Sequence, residues 1–354
     1  MIRIERRIEA NPWWTAGTLV AALVAGMLAS ALIVATAGAD PLEAFRTLFF
    51  GAFGSQKAMM TTLIKSTPLI LTGLATVIAF RAQIWSIGQE GQVFAGAMAG
   101  YLGSQVLSGL PPLLFFPGVI LFGVAGGLLL GGACAILKTR FGVNEIVSTV
   151  MTNYLAIYLL SYLLAGGPWA EIGDGASYQQ SVPLPAAEHL PLLFGTKLHF
   201  GVLLPFIAAI CGAVMLDRTA LGYEIKALGT NPVALGHKGT NIAKTIVVVM
   251  CISGGLAALA GVIELYGVGH RLKADNLVGL GYAGIIVGMI GGLRPLGTVL
   301  AGLLFGGLAS GAVSMRVVSD IPASLVPAMQ GIILLFVLCA SVMARYKIVR
   351  GTAS

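Results

Sequence analysis

Long apolar runs recur along almost the entire chain, and they constrain the fold more than any other feature of the sequence. A run of about 18 apolar residues is long enough to cross a membrane as a helix. Only 10% of the residues are charged, whereas a soluble domain carries about 25%. The candidate spans are 15–37, 60–80, 92–109, 113–137, 145–165, 199–216, 245–267, 278–292, 296–314 and 323–343. The sequence therefore predicts an all-α, polytopic membrane bundle of about ten transmembrane helices.

Glycines four residues apart occur within these runs. Small residues at this spacing let membrane helices approach closely, so we expect these glycines to lie at helix–helix contacts. The pairs are Gly96/Gly100, Gly127/Gly131, Gly284/Gly288, Gly302/Gly306 and Gly307/Gly311. The third and eighth spans are short or glycine-rich, and we expect them to be broken or to cross only part of the membrane.

The distribution of positive charge predicts the orientation of the bundle. With the N-terminus in the cytoplasm, two thirds of the 21 Lys and Arg residues fall in inner segments, as the positive-inside rule requires. Both termini are therefore predicted to be cytoplasmic, in a bacterial inner membrane whose lipid surrounds the bundle. The same basic loops account for the net charge of +7 without a nucleic-acid partner. The first apolar stretch, Thr15–Ala35, is longer than the core of a signal peptide, so we expect an uncleaved first helix.

Two loops are long enough to carry structure of their own. Residues 166–198 form the predicted periplasmic loop, and residues 217–244 form the largest predicted cytoplasmic loop. The stretch "GYEIKALGTNPVALGHKG" in the cytoplasmic loop predicts a short helix over Tyr223–Leu228 and a stop at Gly229. A second short helix is predicted to begin near Asn231, which can cap it, with Pro232 at the first helical position.

Catalytic and nucleotide-binding motifs are missing from the sequence. There is no GxxxxGK[ST], HExxH or GxSxG motif, and the four histidines show no metal-ligand spacing. The four cysteines lie in apolar runs without a CxxC pair, which argues against disulfides and zinc. "GLGYAG" at 279–284 matches GxGxxG, but no strand–turn–helix unit surrounds it, so helix packing explains it better. We therefore predict that the chain is not an enzyme and that it binds neither a metal nor a cofactor itself.

A polar stretch, "FRAQIWSIGQEGQVFAG" (Phe80–Gly96), separates two long apolar runs. It is either a wetted cytoplasmic turn or a broken helix that enters the membrane, where irregular backbone must be covered by protein or line a cavity. In the second case Glu90 and Gln92 would satisfy freed backbone groups or contact a polar solute. Glu264 is a second buried candidate, although it lies near a helix end and can reach water there.

A third polar pattern, "NEIVSTVMTNYLA" (Asn144–Ala156), opens the fifth span. Glu145, Thr149 and Asn153 lie near one face of the predicted helix. Asn144 and Glu145 are suited to cap its first turn. Asn153 is expected either to pack or to line a pathway.

Four stretches together resemble a known family. They are "FRAQIWSIGQEGQ", "NEIVSTVMTNYLA", "ALGTNPVALGHKGTNIAKT" and "SGGLAALAGVIELYGVGHRL", which occur in this order over Thr67–Gly311. They resemble the permeases of ABC importers of the branched-chain amino acid/ribose class. Within that class they are most similar to the larger permease of nucleoside systems, whose binding proteins are basic membrane lipoproteins. In that branch the first motif commonly reads "NIGAEGQ", so Ser86 and Gln89 depart from it and leave the solute open.

The resemblance implies a set of partners and a coupling region. ATP and Mg would bind a separate cytoplasmic ATPase, and a periplasmic or lipoprotein substrate-binding protein would dock outside. A second, different permease would complete the pathway beside residues 1–354, which form a single transmembrane domain. Coupling helices would lie within Gly222–Asn241. The residues that we select there are Gly222, Glu224, Ala227, Gly229, Asn231 and Ala234.

These observations favour the permease subunit of an ABC importer for a small polar solute, most specifically a nucleoside. The predicted pathway residues are Trp85, Ser86, Gln89, Glu90, Asn153, Tyr154, Glu264 and Tyr266. A simple-sugar ABC permease is the nearest alternative. An ion-coupled secondary transporter would use Glu264 or Glu90 as its ion site, and the scarcity of mid-membrane acids counts against it. An integral-membrane enzyme would need a catalytic cluster, and His189 and His199 have no nucleophile or metal pattern between them.

Overall fold

The computed structural model describes residues 2–6, 12–36, 38–171, 178–193, 195–318 and 346–350. It also describes residues 325, 328–329, 331–333, 335–336 and 339–340. The chain divides into two compact units, one formed by Met1–Thr62 with Gly307–Ser354 and the other by Leu63–Gly306. The polar stretch, the predicted pathway residues and the predicted coupling loop all lie in the second unit.

The described chain is predominantly helical, as the hydropathy pattern predicts. The helices are α1 (Pro12–Thr36), α2 (Pro41–Phe53), α3 (Gln56–Arg81), α4 (Gln89–Val106), α5 (Pro112–Phe141), α6 (Glu145–Leu164), α7 (Leu204–Arg218), α8 (Ala220–Thr230), α9 (Pro232–His237), α10 (Ile242–Glu264), α11 (Ala274–Leu277), α12 (Leu280–Ile290) and α13 (Pro295–Val318). Short 3-10 turns occupy Ala186–Glu188 and Phe200–Leu203, and a π-helical turn extends α10 over Leu265–Gly269.

The termini add a small ladder that the sequence analysis did not predict. Strand β1 (Ile2–Arg6) pairs antiparallel with strand β2 (Tyr346–Arg350), with Ile4 opposite Ile348. The two ends of the chain therefore meet.

Six helices of the described chain are long and apolar enough to cross a membrane, and the bent pair α1–α2 would make a seventh. The six are α3, α5, α6, the helical stretch Phe200–Arg218, the stretch Ile242–Gly269, and α13. Helix α12 has 11 residues, a length of about 16 Å, which is too short for a hydrocarbon core of about 30 Å. The eighth predicted span is thus partial, as expected. Much of the predicted tenth span, 323–343, lies outside the described residues.

Helix α2 was missed by the sequence analysis, although its start signals are present. The Asp40 carboxylate accepts a hydrogen bond from the Leu42 N–H at 2.8 Å, and Pro41 occupies the first helical position. Both are ordinary features of a helix N-terminus. A search for long apolar runs overlooks a 13-residue helix between two of them.

Close glycine contacts hold α10 against α4 and α5 in the second unit. A Cβ on Gly96 would overlap the Ala258 backbone, and a Cβ on Gly127 would overlap the Gly254 carbonyl. The members of all five glycine pairs contact a neighbouring helix, so their predicted packing role is confirmed. Within a membrane the hydrophobic effect does not drive helices together. Close contact between backbones strengthens the dispersion attraction between helices, which contributes instead.

The loop after α7 folds into two short helices, but the first begins at Ala220 rather than Tyr223, so both of its boundaries differ from the prediction. Helix α8 continues through Gly229 to Thr230, so the predicted stop at Gly229 is wrong. Gly229 packs instead against the Arg81 carbonyl at the end of α3, where a larger side chain would not fit. The Asn231 side chain accepts a hydrogen bond from the Ala234 N–H at 3.0 Å, with Pro232 at the first helical position, as predicted.

Candidate functional site

The polar stretch between α3 and α4 is a break in the helical backbone that lies inside the protein. Helix α3 ends at Arg81, residues 82–88 are irregular, and α4 begins at Gln89. Ser86, Gln89, Glu90 and Gln92 are all fully buried. The interpretation of this stretch as a wetted turn is therefore wrong for these four residues. Burial of an irregular segment requires hydrogen-bond partners for its backbone.

Glu90 supplies partners to a second break, at the start of α12. Its Oε1 accepts a hydrogen bond from the Gly279 N–H, and its Oε2 accepts from the N–H groups of Gly281 at 2.8 Å and Tyr282 at 3.3 Å. The first N–H groups of a helix have no acceptor within the helix, and the N–H groups of Gly281 and Tyr282 belong to this set. Gly279 has a φ of +88°, which favours glycine, and offers no side-chain cap of its own. Glu90 thus acts as the cap of α12, and a carboxyl group suits the positive end of the helix dipole.

Asn153 on α6 fastens the irregular segment from the other side. Its Oδ1 accepts a hydrogen bond from the Gly91 N–H at 2.8 Å, and its Nδ2 donates to the Ile87 carbonyl at 2.7 Å. Thr149, one turn earlier, accepts from the Ile87 N–H at 3.1 Å. The structure therefore brings together Glu90, Asn153 and the two helix breaks, which sequence spacing does not reveal.

Three side chains of the break have buried polar atoms without a hydrogen-bond partner among the described residues. They are the Ser86 hydroxyl, both amide atoms of Gln89, and Oε1 of Gln92. Buried polar groups in native proteins are nearly always paired. The Gln89 amide is the largest departure from that rule, because neither its donor nor its acceptor is used.

The remaining predicted pathway residues fall into different surroundings. Trp85 and Tyr154 are each about half exposed. Glu264 is buried beside a small cavity lined also by Arg271 and Asn276. Tyr266 lies in the hydrophobic core, where its hydroxyl donates to the Gly100 carbonyl at 2.8 Å. The position of Tyr266 therefore indicates packing between α4 and α10.

The predicted coupling residues also differ in what they can contact. The backbones of Gly222 and Gly229 pack closely against α7 and α3, respectively. Glu224 accepts a hydrogen bond from the Thr245 hydroxyl at 3.4 Å, and Asn231 caps α9. Ala227 is half-buried on α8, and Ala234 is exposed on α9. Sequence reasoning missed Tyr223 and Val233, whose exposed apolar side chains are unusual for a polar loop.

A histidine cluster joins the chain between α6 and α7 to the π-helical turn, and the sequence analysis did not predict it. The rings of His189 and His270 stack with centroids 3.7 Å apart. The Leu184 N–H donates to the His270 carbonyl at 2.8 Å, and the Leu190 N–H donates to the Tyr266 carbonyl at 3.0 Å. His199 is buried nearby with neither ring nitrogen hydrogen-bonded to a described residue. Three histidines distant in sequence thus become neighbours.

Two histidines of this cluster have pKa values below the ordinary one. Burial and the neighbouring His270 lower the pKa of His199 from its ordinary 6.5 to about 4. Burial and His189 lower the pKa of His270 in the same direction. The pKa of each of these histidines is lower in the folded protein than in the unfolded chain. The unfolded chain therefore binds protons more readily than the folded protein does. Stability is therefore complete above pH 6.5 and declines as the pH falls towards 4.

We expect replacement of His199 by leucine to flatten the acid side of the stability profile. Near pH 5 the wild-type protein should lose about 2 kcal/mol from this group, since each pKa unit corresponds to about 1.4 kcal/mol. The leucine variant loses no hydrogen bond, so its melting temperature at pH 7.5 should match or exceed that of the wild type. Melting temperatures of the detergent-purified protein at pH 7.5, 6 and 5 measure this. Parallel pH profiles for the two proteins would contradict it.

Comparison with known proteins now adds to this geometry. The family described as "Branched-chain amino acid transport system / permease component" matches residues 58–338. The chain belongs to this permease family. The match covers both helix breaks and the α8–α9 loop. Hence the protein is an ABC-importer permease, a multi-pass membrane protein that works with a separate ATPase subunit and a substrate-binding protein.

Three proteins with functional names are similar to this permease. The guanosine ABC transporter permease NupP of Bacillus subtilis is 32% identical over 89% of this chain and 91% of its own length. The glucose ABC transporter permease TsgB13 of Haloferax volcanii is 29% identical over 98% and 93%. The nucleoside ABC transporter permease NupB of Lactococcus lactis is 30% identical over 89% and 88%. The chain therefore matches each relative over most of both lengths.

Proposed function

We propose that this permease forms the membrane pathway of a bacterial inner-membrane importer for nucleosides. Two of the relatives named above carry guanosine or nucleosides, which supports this solute class. The glucose permease among them keeps a simple sugar as the second candidate. An importer of either solute needs a polar pathway through an apolar bundle. The break between α3 and α4 supplies polar groups in the interior of this bundle.

The observation that carries the proposal is the unpaired amide of Gln89. A glutamine amide offers two donors and one acceptor side by side. A nucleobase edge such as that of guanine presents the complementary donor and acceptor, and can hydrogen-bond to such an amide twice. Since a buried amide without a partner is costly, its retention here supports a role in binding a transient solute.

We place Trp85, Ser86, Gln89, Tyr154 and Glu264 along the pathway. Trp85 and Tyr154 have exposed rings that a base can stack on. Glu90 and Asn153, whose hydrogen-bonding atoms are used by backbone, act as positioning residues that hold the break in shape. This assignment leaves Tyr266 as a packing residue.

The topology and partners follow from the same arrangement. The positive-inside bias supports a cytoplasmic location of both termini, and the pairing of β1 with β2 supports it too, because it keeps the two ends on one side. The loop 217–244 would receive the ATPase, with Tyr223 and Val233 as apolar contacts. The loop 166–198 would face the binding protein in the periplasm. A second, different permease would complete the pathway, and ATP with Mg would bind only the ATPase.

A direct path connects the proposed ATPase contact to the helix break. Gly229 of α8 packs on the Arg81 carbonyl, the last residue of α3 before the break. The Arg81 side chain donates from Nε to the Leu293 carbonyl at 2.8 Å, in the turn between α12 and α13. Movement of α8 would therefore be transmitted to α4 and α12, the two helices whose first residues meet at Glu90.

Replacement of Gln89 by methionine tests the solute assignment. Methionine keeps the length of the side chain and removes only the amide, and no protein hydrogen bond is lost with it. We expect equal or higher stability and a roughly tenfold lower rate of radiolabelled guanosine uptake, equivalent to about 1.4 kcal/mol. Uptake is measured in cells that express the complete importer, with glucose as the second solute.

The exposed Gln105 at the other end of α4 provides a matched control. Its replacement by methionine should leave uptake unchanged. Guanosine uptake that stays at the wild-type rate in the Gln89 variant would remove Gln89 from the pathway. Glucose uptake without guanosine uptake would favour the sugar permease.

A further inference from the structure

Helix α6 presents a row of three tyrosines on its exposed face. Tyr154, Tyr158 and Tyr162 follow one another at four-residue spacing, so they lie on one side of the helix. Their exposed fractions are 50%, 67% and 72%. The rings of Tyr154 and Tyr158 are nearly parallel, with centroids 6.4 Å apart and an interplanar angle of 21°. We call these three residues the tyrosine row.

The depth of the tyrosine row is unusual for tyrosine in a membrane helix. Helix α6 has 20 residues and a length of about 30 Å. Tyr154 and Tyr158 lie in its middle third, about 14 and 20 Å from its first residue. Tyrosines of membrane proteins concentrate at the two interfaces, where the hydroxyl meets water. A hydroxyl in contact with hydrocarbon would lack a hydrogen-bond partner, so lipid does not suit the positions of Tyr154 and Tyr158, although the exposed Leu155 and Leu159 beside them are apolar.

The exposed surface of helix α5 has the composition expected of a lipid-facing surface. Its exposed positions include Leu113, Leu121, Leu129 and Ile136, and no hydroxyl-bearing residue occurs between Pro112 and Leu137. An 18-residue window of α5 reaches a mean hydropathy of 2.4, against 1.4 for such a window of α6. The exposed surfaces of the neighbouring helices α5 and α6 thus differ in their content of hydroxyl-bearing residues.

The tyrosine row begins at the level of the helix break. Asn153, the residue before Tyr154, accepts a hydrogen bond from the Gly91 N–H, two residues from the unpaired Gln89 amide. The row therefore starts at the level of the break and runs along the exposed face of α6, away from the buried face that carries Asn153. Open aromatic faces with hydroxyl edges suit a solute that is planar, aromatic and polar at its rim.

We propose that the tyrosine row lines the translocation pathway and stacks a planar aromatic solute, specifically the base of a nucleoside. This inference rests on the proposed function and deepens it, because it assigns Tyr158 and Tyr162 to the pathway and gives the binding mode. The solute would pass from ring to ring along α6. The second permease would close the other side of the pathway.

Chemical accessibility tests the location of the row without reference to any solute. Tyr158→Cys and Leu129→Cys are prepared in a complete importer whose permease lacks Cys134, Cys211, Cys251 and Cys339. A charged, water-soluble methanethiosulfonate reagent is then applied to membranes. We expect position 158 to react and position 129, in the lipid-facing surface of α5, to remain unmodified. Guanosine should slow the reaction at 158 several-fold. An unreactive position 158 overturns the proposal in favour of lipid or a subunit contact.

Kinetics test the stacking itself. Tyr158→Phe keeps the aromatic face and Tyr158→Leu removes it. The leucine variant is expected to raise the KM for guanosine about tenfold, as loss of one base–aromatic stack does in other systems. The phenylalanine variant should remain within about twofold of the wild type. Equal KM values for all three proteins overturn the stacking role. Loss of the second permease on co-purification of the leucine variant assigns the row to a subunit contact and also overturns it.

The two levels of the proposal fail in different ways. If position 158 reacts but the wild-type importer takes up glucose and no guanosine, the nucleoside function and the stacking role are both wrong, and only the aqueous location stands. If guanosine is imported but position 158 is unreactive, the nucleoside function stands and the tyrosine row is excluded from the pathway.

Discussion

Substitution of Glu90 by glutamine is expected to abolish uptake and to lower the stability of the permease sharply. Three backbone N–H groups at the start of α12 share the two oxygens of this carboxyl. In glutamine one oxygen becomes an NH₂ group, which faces N–H donors and cannot accept from them. Each buried donor left without an acceptor costs about 1–3 kcal/mol. The melting temperature of the purified protein and guanosine uptake measure the two effects.

Glu43 provides the comparison for this substitution. It lies exposed in the first turn of α2, so Glu43→Gln removes a carboxylate of the same type without orphaning a buried donor. That variant should retain wild-type stability to within about 0.5 kcal/mol. A Glu90→Gln protein with the same melting temperature as Glu43→Gln would show that the cap of α12 contributes little.

Substitution of Gly96 by alanine should be as damaging, although it adds a single methyl group. An alanine in a helix interior normally stabilises it by about 0.5–1 kcal/mol relative to glycine. At Gly96 the new Cβ would overlap the Ala258 backbone, so α4 and α10 must move apart. Overpacking of a core costs about 1–3 kcal/mol, and here rigid backbone blocks relaxation. We expect little monodisperse protein after extraction in detergent, measured by fluorescence-detected size-exclusion chromatography.

Gly212 on α7 is the matched position for that experiment. The nearest atom to a Cβ there would be Cγ of Pro295 at 3.9 Å, an ordinary contact. Gly212→Ala should therefore leave the yield unchanged or raise it slightly. Equal yields of the two alanine variants would mean that the α4–α10 contact tolerates separation.

The long helices and their packing glycines were predictable because both depend on local sequence. A membrane span needs only a run of apolar residues, and a close helix contact needs only small residues at a regular spacing. The cap at Asn231 was predictable for the same reason, since a cap acts within three residues. Helix α2 escaped because it is short and amphipathic, so no apolar run marks it.

The candidate site was predictable in part only. The polar stretch identified Glu90 and Gln89 as unusual, but their roles depend on partners distant in sequence. Glu90 contacts residues around 280, and Asn153 contacts residues around 90. Tyr266 was expected in the pathway because aromatic residues suit nucleosides, whereas its burial between α4 and α10 indicates packing. The cluster of His189, His199 and His270 forms only because the chain between α6 and α7 packs against the π-helical turn.

The capping of α12 by a distant residue also bears on how the permease is made. Glu90 and Gly279 are separated by 189 positions in the chain. At a translation rate of about 5–20 residues per second, Glu90 leaves the ribosome about 10–40 s before its partners exist. Until residues 279–282 have been made, the Glu90 carboxyl has none of the three backbone donors that it binds in the folded protein. The native environment of this side chain therefore cannot form before three quarters of the chain exist.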